Sequence, residues 1–293
     1  MKIADARVLL TGASGGIGQA AASALVAAGA SVMLAGRSPA RLATQARALV
    51  RDSAAAAKPQ VEWYAADLTR TASIGGLAEV ASQWRCNVLV NNAGVPGFGR
   101  LGALSATETA QVLHLNLLAP MLLAQALLPH LGAQPEARIV FVGSVLGRLG
   151  LPGFSVYSAS KFGLRGFAES LRRELADTSV GVQYLGPRST RTALNSDAVV
   201  HYNEATGTSM DDAPVAARGL LALLESGAPE RFLGFPEKLA VRLNGLVPAW
   251  LDGAFAKHRA CLPPLAAPAA LSPDSRPDPG PQGDSHSLSQ RAS

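Results

Sequence analysis

The chain has 293 residues, 48% of them hydrophobic and 16% charged, which is enough apolar side chain for one large domain or two small ones. A net charge of +5 and a pI near 9.6 raise the question of nucleic acid, but Lys and Arg are scattered, without a basic run or a cluster of base-stacking aromatics, and that argues against such a partner. Cys86 and Cys261 are the only cysteines and stand outside any metal-ligand spacing, which argues against a disulfide framework or a zinc site and favours a reducing, cytoplasmic setting.

The first strand-like run begins too early for a secretory signal to precede it, and no apolar run reaches the roughly 18–20 residues needed to span a bilayer. Strand-like runs follow at Val8–Thr11, Ser31–Ala35, Val61–Ala65, Asn87–Asn91, Arg138–Gly143, Gly181–Leu185 and Arg231–Phe235, with a helix-length segment in each gap. The longest helical gaps are Ser105–Leu131 and Val156–Asp177. This alternation predicts an α/β fold, a Rossmann-like doubly wound parallel sheet of about seven strands flanked by helices. Right-handed crossovers then gather the loops after each strand at one edge, where ligands bind in open α/β sheets. Beyond Phe235 the pattern changes. Leu239, Leu243, Leu246 and Trp250 recur at helical spacing, and Pro248 divides the segment into two short amphipathic helices. From about Leu262, seven prolines among Ser, Ala, Gly and Asp predict a disordered tail. The expected division is therefore residues 1–235 as a dinucleotide-binding and catalytic domain, 236–261 as a helical extension and 262–293 as tail.

Directly after the first strand, "TGASGGIG" at residues 11–18 opens a helix. Gly12, Gly16 and Gly18 let the backbone turn tightly and approach a pyrophosphate, which a helix N-terminus holds with its free amides and dipole. The spacing is GxxxGxG, whereas the usual dinucleotide fingerprint is GxGxxG. The second strand ends in "MLAGRS", residues 33–38, where an NAD-binding site would place an acidic residue to accept from the ribose 2'-hydroxyl. Gly36 and Arg37 stand there instead, and a guanidinium suits a 2'-phosphate, so NADP(H) is expected over NAD(H). Further on, "YSASK" sets Tyr157 and Lys161 at positions i and i+4, which share one helix face. An ammonium beside a phenol favours the phenolate and lowers its pKa.

Together with "NNAG" at Asn91–Gly94, Asn116 inside "HLNLL" and Ser144 at the end of the fifth strand, these motifs resemble the classical short-chain dehydrogenase/reductase family over about Arg7–Phe235. The resemblance implies a catalytic set of Asn116, Ser144, Tyr157 and Lys161. Tyr157 would act as general acid toward a carbonyl oxygen, Ser144 would donate to the same oxygen, and Asn116 would order a water leading from Lys161 to solvent. It also implies cofactor contacts from Gly12, Ser14, Gly16, Ile17 and Gly18 in the glycine loop, Asp67 and Leu68 at the adenine, and Asn91, Ala93 and Gly94 along the sheet edge. Tyr157 and Lys161 would stand at the nicotinamide ribose, and Pro187 and Thr192 beside the nicotinamide and its carboxamide. The family usually has Pro-Gly where this chain has Pro187-Arg188, and the Arg188 side chain could reach phosphate, substrate or solvent. Phe98, Leu146, Leu149, Leu151 and Phe154 flank the expected pocket and favour an apolar, lipid-like carbonyl or alcohol as the small-molecule substrate. The resulting expectation is an NADP-dependent oxidoreductase assembled as a homodimer or homotetramer, without a transmembrane segment, peripheral membrane contact staying open. The alternative is a non-catalytic dinucleotide-binding redox sensor or scaffold.

Overall fold

The computed structural model describes residues 1–52, 59–235 and 237–263. Seven strands form one parallel sheet: β1 (Arg7–Thr11), β2 (Ser31–Gly36), β3 (Val61–Ala65), β4 (Val88–Asn91), β5 (Ala137–Val142), β6 (Val180–Gly186) and, after a separate strand pair, β9 (Glu230–Phe232). Their order across the sheet is β3-β2-β1-β4-β5-β6-β9. The chain builds outward from β1 to β3, then returns to place β4 on the other side of β1. That reversal opens a crevice at the carboxyl ends of β1 and β4.

Alternation along the strands explains why both faces are covered. Val8 and Leu10 of β1 point to the face held by α1 (Gly16–Ala27) and α8 (Ala213–Ser226), whereas Leu9 points to the face held by α3 (Thr71–Gln83), α5 (Ala119–Gly132) and α6 (Ser155–Glu174). Val32, Leu34, Val88 and Val90 continue the first layer, and Met33, Leu89, Ile139 and Phe141 the second. A sheet buried on both sides needs such continuous Val/Leu/Ile runs, and these made the strands recognisable in the sequence. The helix α2 (Pro39–Asp52) follows β2 and adds Leu42 and Leu49 to the first layer.

The long helix expected near Ser105–Leu131 is α4 (Ala106–Leu113), a π-helical turn at His114–Leu118, and α5. Ser105 and Glu108 start it with a reciprocal capping box. The three pieces are continuous over 27 residues, long and apolar enough by length and composition to cross a membrane. The sequence reading, which counts uninterrupted apolar residues, finds no such run. In this fold the helix commits Leu123, Leu127 and Leu131, all fully buried, to the second layer of the core.

Between β6 and β9 the chain makes β7 (Thr190–Arg191), α7 (Asp197–Thr206), β8 (Asp211–Asp212) and α8, with β7 and β8 forming a small parallel pair. Two-residue strands carry no periodicity, which is why the sequence shows none. The last core strand is shorter than the Arg231–Phe235 read from the sequence, because Gly234 turns with φ +89°. Beyond it lie α9 (Glu237–Asn244), a 3-10 segment at Pro248–Phe255 and α10 (Ala256–Ala260). Val241 of α9 is buried against Val145, Leu146 and Leu149. Leu246, from the same predicted stripe, is exposed. The side chains of Leu239 and Trp250, and the predicted tail beyond Pro263, lie outside the described residues.

Candidate active site

The glycine loop closes the crevice through backbone contacts that side chains would block. Gly12 has φ +63°, and a Cβ there would stand 2.7 Å from the Ala93 Cα. A Cβ on Gly18 would stand 2.1 Å from the Gly12 carbonyl oxygen, and one on Gly16 would stand 2.5 Å from Thr192 Cγ2. Thr11 ties the loop to the next strand: its hydroxyl accepts from the Asn92 and Ala93 N–H groups at 3.0 and 3.1 Å. The Asn92 side chain donates to the Thr11 and Gly12 carbonyls at 3.0 and 3.2 Å. Asn92 therefore ties the loop after β4 to the glycine loop. Asn91 is buried, and its Nδ2 has no partner among the described residues. No side chain caps α1 at Gly15, so its first amides remain available. A tight glycine cradle, an uncapped helix N-terminus and an orphaned buried amide fit a dinucleotide.

At the end of β2, Arg37 is exposed, and Ser14 Oγ lies 3.5 Å from where a Gly36 Cβ would be. Asp67 follows β3, with Leu68 buried beside it. One Asp67 carboxylate oxygen accepts from the Thr69 N–H at 3.0 Å and the Thr69 hydroxyl at 2.8 Å, an Asx turn. Those bonds, with weaker help from Arg37 and Arg70, hold the carboxyl below its usual range.

Asn116, Ser144, Tyr157 and Lys161 meet at the carboxyl edge of β4 and β5. The π-helical turn carries Asn116 into the interior, where it is 1% exposed. Its Oδ1 accepts from the Val95 N–H at 2.8 Å, and its Nδ2 donates to the Val95 carbonyl at 3.0 Å and to Ser160 Oγ at 3.3 Å. Asn116 thus fastens the loop after β4 to the π-helical turn. A Cβ on Gly94 would come within 2.9 Å of Asn116 Oδ1, so the glycine makes room for this clamp.

Ser144 is buried in an extended backbone conformation just past β5. Its hydroxyl accepts from the Leu146 N–H at 3.1 Å and stands near enough to the Tyr157 phenol to lower its pKa. One helical turn beyond Tyr157, Lys161 is 4% exposed and donates to the Val142 carbonyl at 3.3 Å, with its Nζ 5.6 Å from the Tyr157 ring centroid. Burial pulls the Lys161 ammonium down to about 8. Burial also pushes the Tyr157 phenol up to about 12, against a lowering from Ser144. The spacing of Tyr157 and Lys161 alone predicts a lowered phenol. Desolvation, which penalises a phenolate, is the larger effect at this site.

Arg188 turns back onto the protein, its side chain 18% exposed. Its guanidinium donates to Asp211 at 2.6 Å and pairs with Glu237 at 3.3 Å, all three side chains being largely covered. It thereby fastens the end of β6 to β8 and to α9. Leu146 and Leu149, expected at the pocket, are buried with Val241 of α9 in a cluster against which Leu151, Phe154 and Tyr157 pack. Phe98 and Phe154 do lie beside Tyr157: Phe154 is 6.3 Å from its ring and 4.9 Å from Phe98. Tyr202 of α7 completes the group at 5.1 Å from Phe98. Leu262 closes over Gly153 and Phe98. The sequence reading missed Tyr202, Asn92 and Leu262, because each acts through a contact made across the fold.

A doubly wound sheet with a glycine cradle at its switch point and a buried Ser, Tyr and Lys group beside it defines a dinucleotide-binding oxidoreductase fold. The family model described as short chain dehydrogenase matches residues 6–203, and the chain belongs to that family. It is 30% identical over 260 residues to "Dehydrogenase/reductase SDR family member 7B" of Bos taurus, covering 84% of this chain and 79% of that protein. Among solved structures it is similar to a short-chain dehydrogenase from Sphingobium yanoikuyae in complex with NADPH, with TM-score 0.70, 28% identity and coverage of 84% and 94% of the two chains. It is also similar to a short chain dehydrogenase/reductase from Burkholderia phymatum in complex with NAD, with TM-score 0.74, 25% identity and coverage of 85% and 96%.

Proposed function

We propose that this protein is an NADP(H)-dependent oxidoreductase that interconverts a carbonyl and a secondary alcohol on an apolar small molecule. The observation that carries the reading is the gathering of Tyr157 and Lys161, ring centroid and Nζ 5.6 Å apart, with Ser144 at the end of β5 and Asn116 beside Gly94, next to the glycine cradle. When bound, the nicotinamide supplies hydride in reduction and takes it in oxidation. The glycine loop amides and the Asn91 amide would hold the dinucleotide, with Lys161 at the ribose hydroxyls and Thr192, which touches the loop at Gly16, at the carboxamide. Tyr157 is a neutral phenol at neutral pH, as a proton donor must be. In reduction its proton passes to the carbonyl oxygen while the Ser144 hydroxyl donates to that oxygen and stabilises the charge building there. The proton returns to Tyr157 through Lys161 or solvent.

The NADP(H) preference is supported by Arg37, exposed at the end of β2 where no acidic side chain stands. The two solved relatives carry NADPH and NAD, so this residue decides the proposal. Arg37→Ala is expected to weaken NADPH binding by about tenfold or more and to leave NADH nearly unchanged, because only the former carries a phosphate for charge-assisted hydrogen bonds. Parallel fluorescence titrations with both dinucleotides check this, and an equal loss would remove Arg37 from the site. An apolar substrate is supported by the Phe98, Phe154 and Tyr202 rings gathered beside Tyr157.

Lys161 gives the site a pH dependence. Its pKa falls to about 8, below the ordinary lysine value of 10.5, so the free protein loses the ammonium as pH rises through about 8. NADPH affinity, titrated from neutral to alkaline pH, should weaken across that range, and Lys161→Met should abolish the weakening. A protein-stability effect runs the other way. The unfolded chain holds the proton more tightly, so the cost of burying the charge is present below about pH 8 and relieved between there and 10.5.

A further inference from the structure

Ser144 stands where the sheet runs out. The backbone amides on either side of it still bond to the segment of β6 and just beyond: Gly143 N–H to the Leu185 carbonyl at 2.8 Å and Val145 N–H to the Pro187 carbonyl at 2.9 Å. β4 has already ended at Asn91, opposite Phe141, so no strand stands beside the groups of Ser144 itself. A single side-chain oxygen takes both of them. The Tyr184 hydroxyl, on β6, accepts from the Ser144 N–H at 3.0 Å and donates to the Ser144 carbonyl at 2.9 Å.

The loop is shaped around that oxygen. A Cβ on Gly143 would stand 2.0 Å from the Tyr184 hydroxyl oxygen, and one on Gly147 would stand 2.1 Å from it. The glycines before and after the serine therefore leave the space in which the phenol sits, and Tyr184 is 2% exposed. Burial raises its pKa, which keeps it a neutral phenol able to donate and accept at once. A phenylalanine would fill the same volume, so only the pair of hydrogen bonds to one residue explains a hydroxyl here. That residue is the one whose own hydroxyl meets Tyr157.

We propose that Tyr184 is a positioning residue for the reaction: it fixes the Ser144 backbone and so aims the Ser144 hydroxyl at Tyr157 and the substrate oxygen. The inference rests on the dehydrogenase/reductase reading above. It makes Tyr184 act only through Ser144, and that dependence is measurable. Tyr184→Phe should lower kcat for carbonyl reduction by about tenfold to a hundredfold, the penalty of a misplaced catalytic group, with the NADPH dissociation constant unchanged. In a Ser144→Ala background the same substitution should have no further effect on kcat. A tyrosine that merely supported the core would cost as much in one background as in the other.

The decisive measurement is kcat and NADPH affinity for wild type, Tyr184→Phe, Ser144→Ala and the double variant, using NADPH and a panel of apolar ketones. Full kcat in Tyr184→Phe, or an equal loss in both backgrounds, overturns the positioning role while leaving the catalytic reading intact. Undiminished kcat in Ser144→Ala overturns the catalytic reading itself, and with it any role for Tyr184. Should Tyr184→Phe fail to fold, Gly143→Ala approaches the same contact from the other side by displacing the phenol. Its loss of kcat must likewise vanish in the Ser144→Ala background, and a loss that persists there rejects the proposal.

Discussion

Tyr157→Phe is expected to lower kcat by about a hundredfold or more while NADPH binding stays nearly intact, the loss typical of a positioned proton donor. The substitution deletes one hydroxyl and keeps the ring, so the contact with Phe154 survives. What disappears is the proton that the substrate oxygen must receive, together with the hydroxyl on which Ser144 acts. Neither Lys161 nor Ser144 can substitute. Lys161 is held at the Val142 carbonyl, and Ser144 carries a hydroxyl far less acidic than a phenol. Steady-state assays beside a dinucleotide titration separate the two readouts. Retained turnover would end the mechanism, and loss of dinucleotide binding would show that the residue holds cofactor more than it moves a proton.

Val241→Asp is expected to cost about 3 kcal/mol or more of stability, because an unpaired carboxylate would enter an apolar site. Val241 is 1% exposed and lies on Val145, Leu146 and Leu149, the turn that directly follows Ser144. The same helix carries Glu237, which pairs with Arg188, and Asn244, whose side chain donates to the Arg148 carbonyl at 2.8 Å. Displacing α9 therefore loosens the back of the catalytic turn and the end of β6 together, and kcat should fall along with stability. Denaturant unfolding and turnover on the same preparations test this. Normal stability with normal turnover would show that the C-terminal helices do not support the site. A truncation test follows the same contacts: a cut after Ala260 would remove buried Leu262 and the Pro263 carbonyl that accepts from Arg100, whereas a cut after Pro263 keeps both.

The sequence carried whatever repeats along the chain. Short continuous apolar runs marked the seven strands of the sheet, and the fixed spacings of Gly12, Gly16 and Gly18 and of Tyr157 and Lys161 marked the site, since glycine conformations and i, i+4 neighbours are local properties. Contacts between residues far apart in sequence were decided only by the tertiary structure. Arg188 lies 23 residues from Asp211 and 49 from Glu237, and nothing in its neighbourhood announces that pair. Tyr184 reads in sequence as one more apolar residue of β6, and its role depends on Ser144, 40 residues away. The pKa of Tyr157 turned on burial as well, for the sequence displays the ammonium one turn away but not the protein matter that closes over both groups. Periodicity and spacing fix elements and motifs because their physics is local, whereas desolvation and long-range hydrogen bonding exist only once the chain has closed on itself.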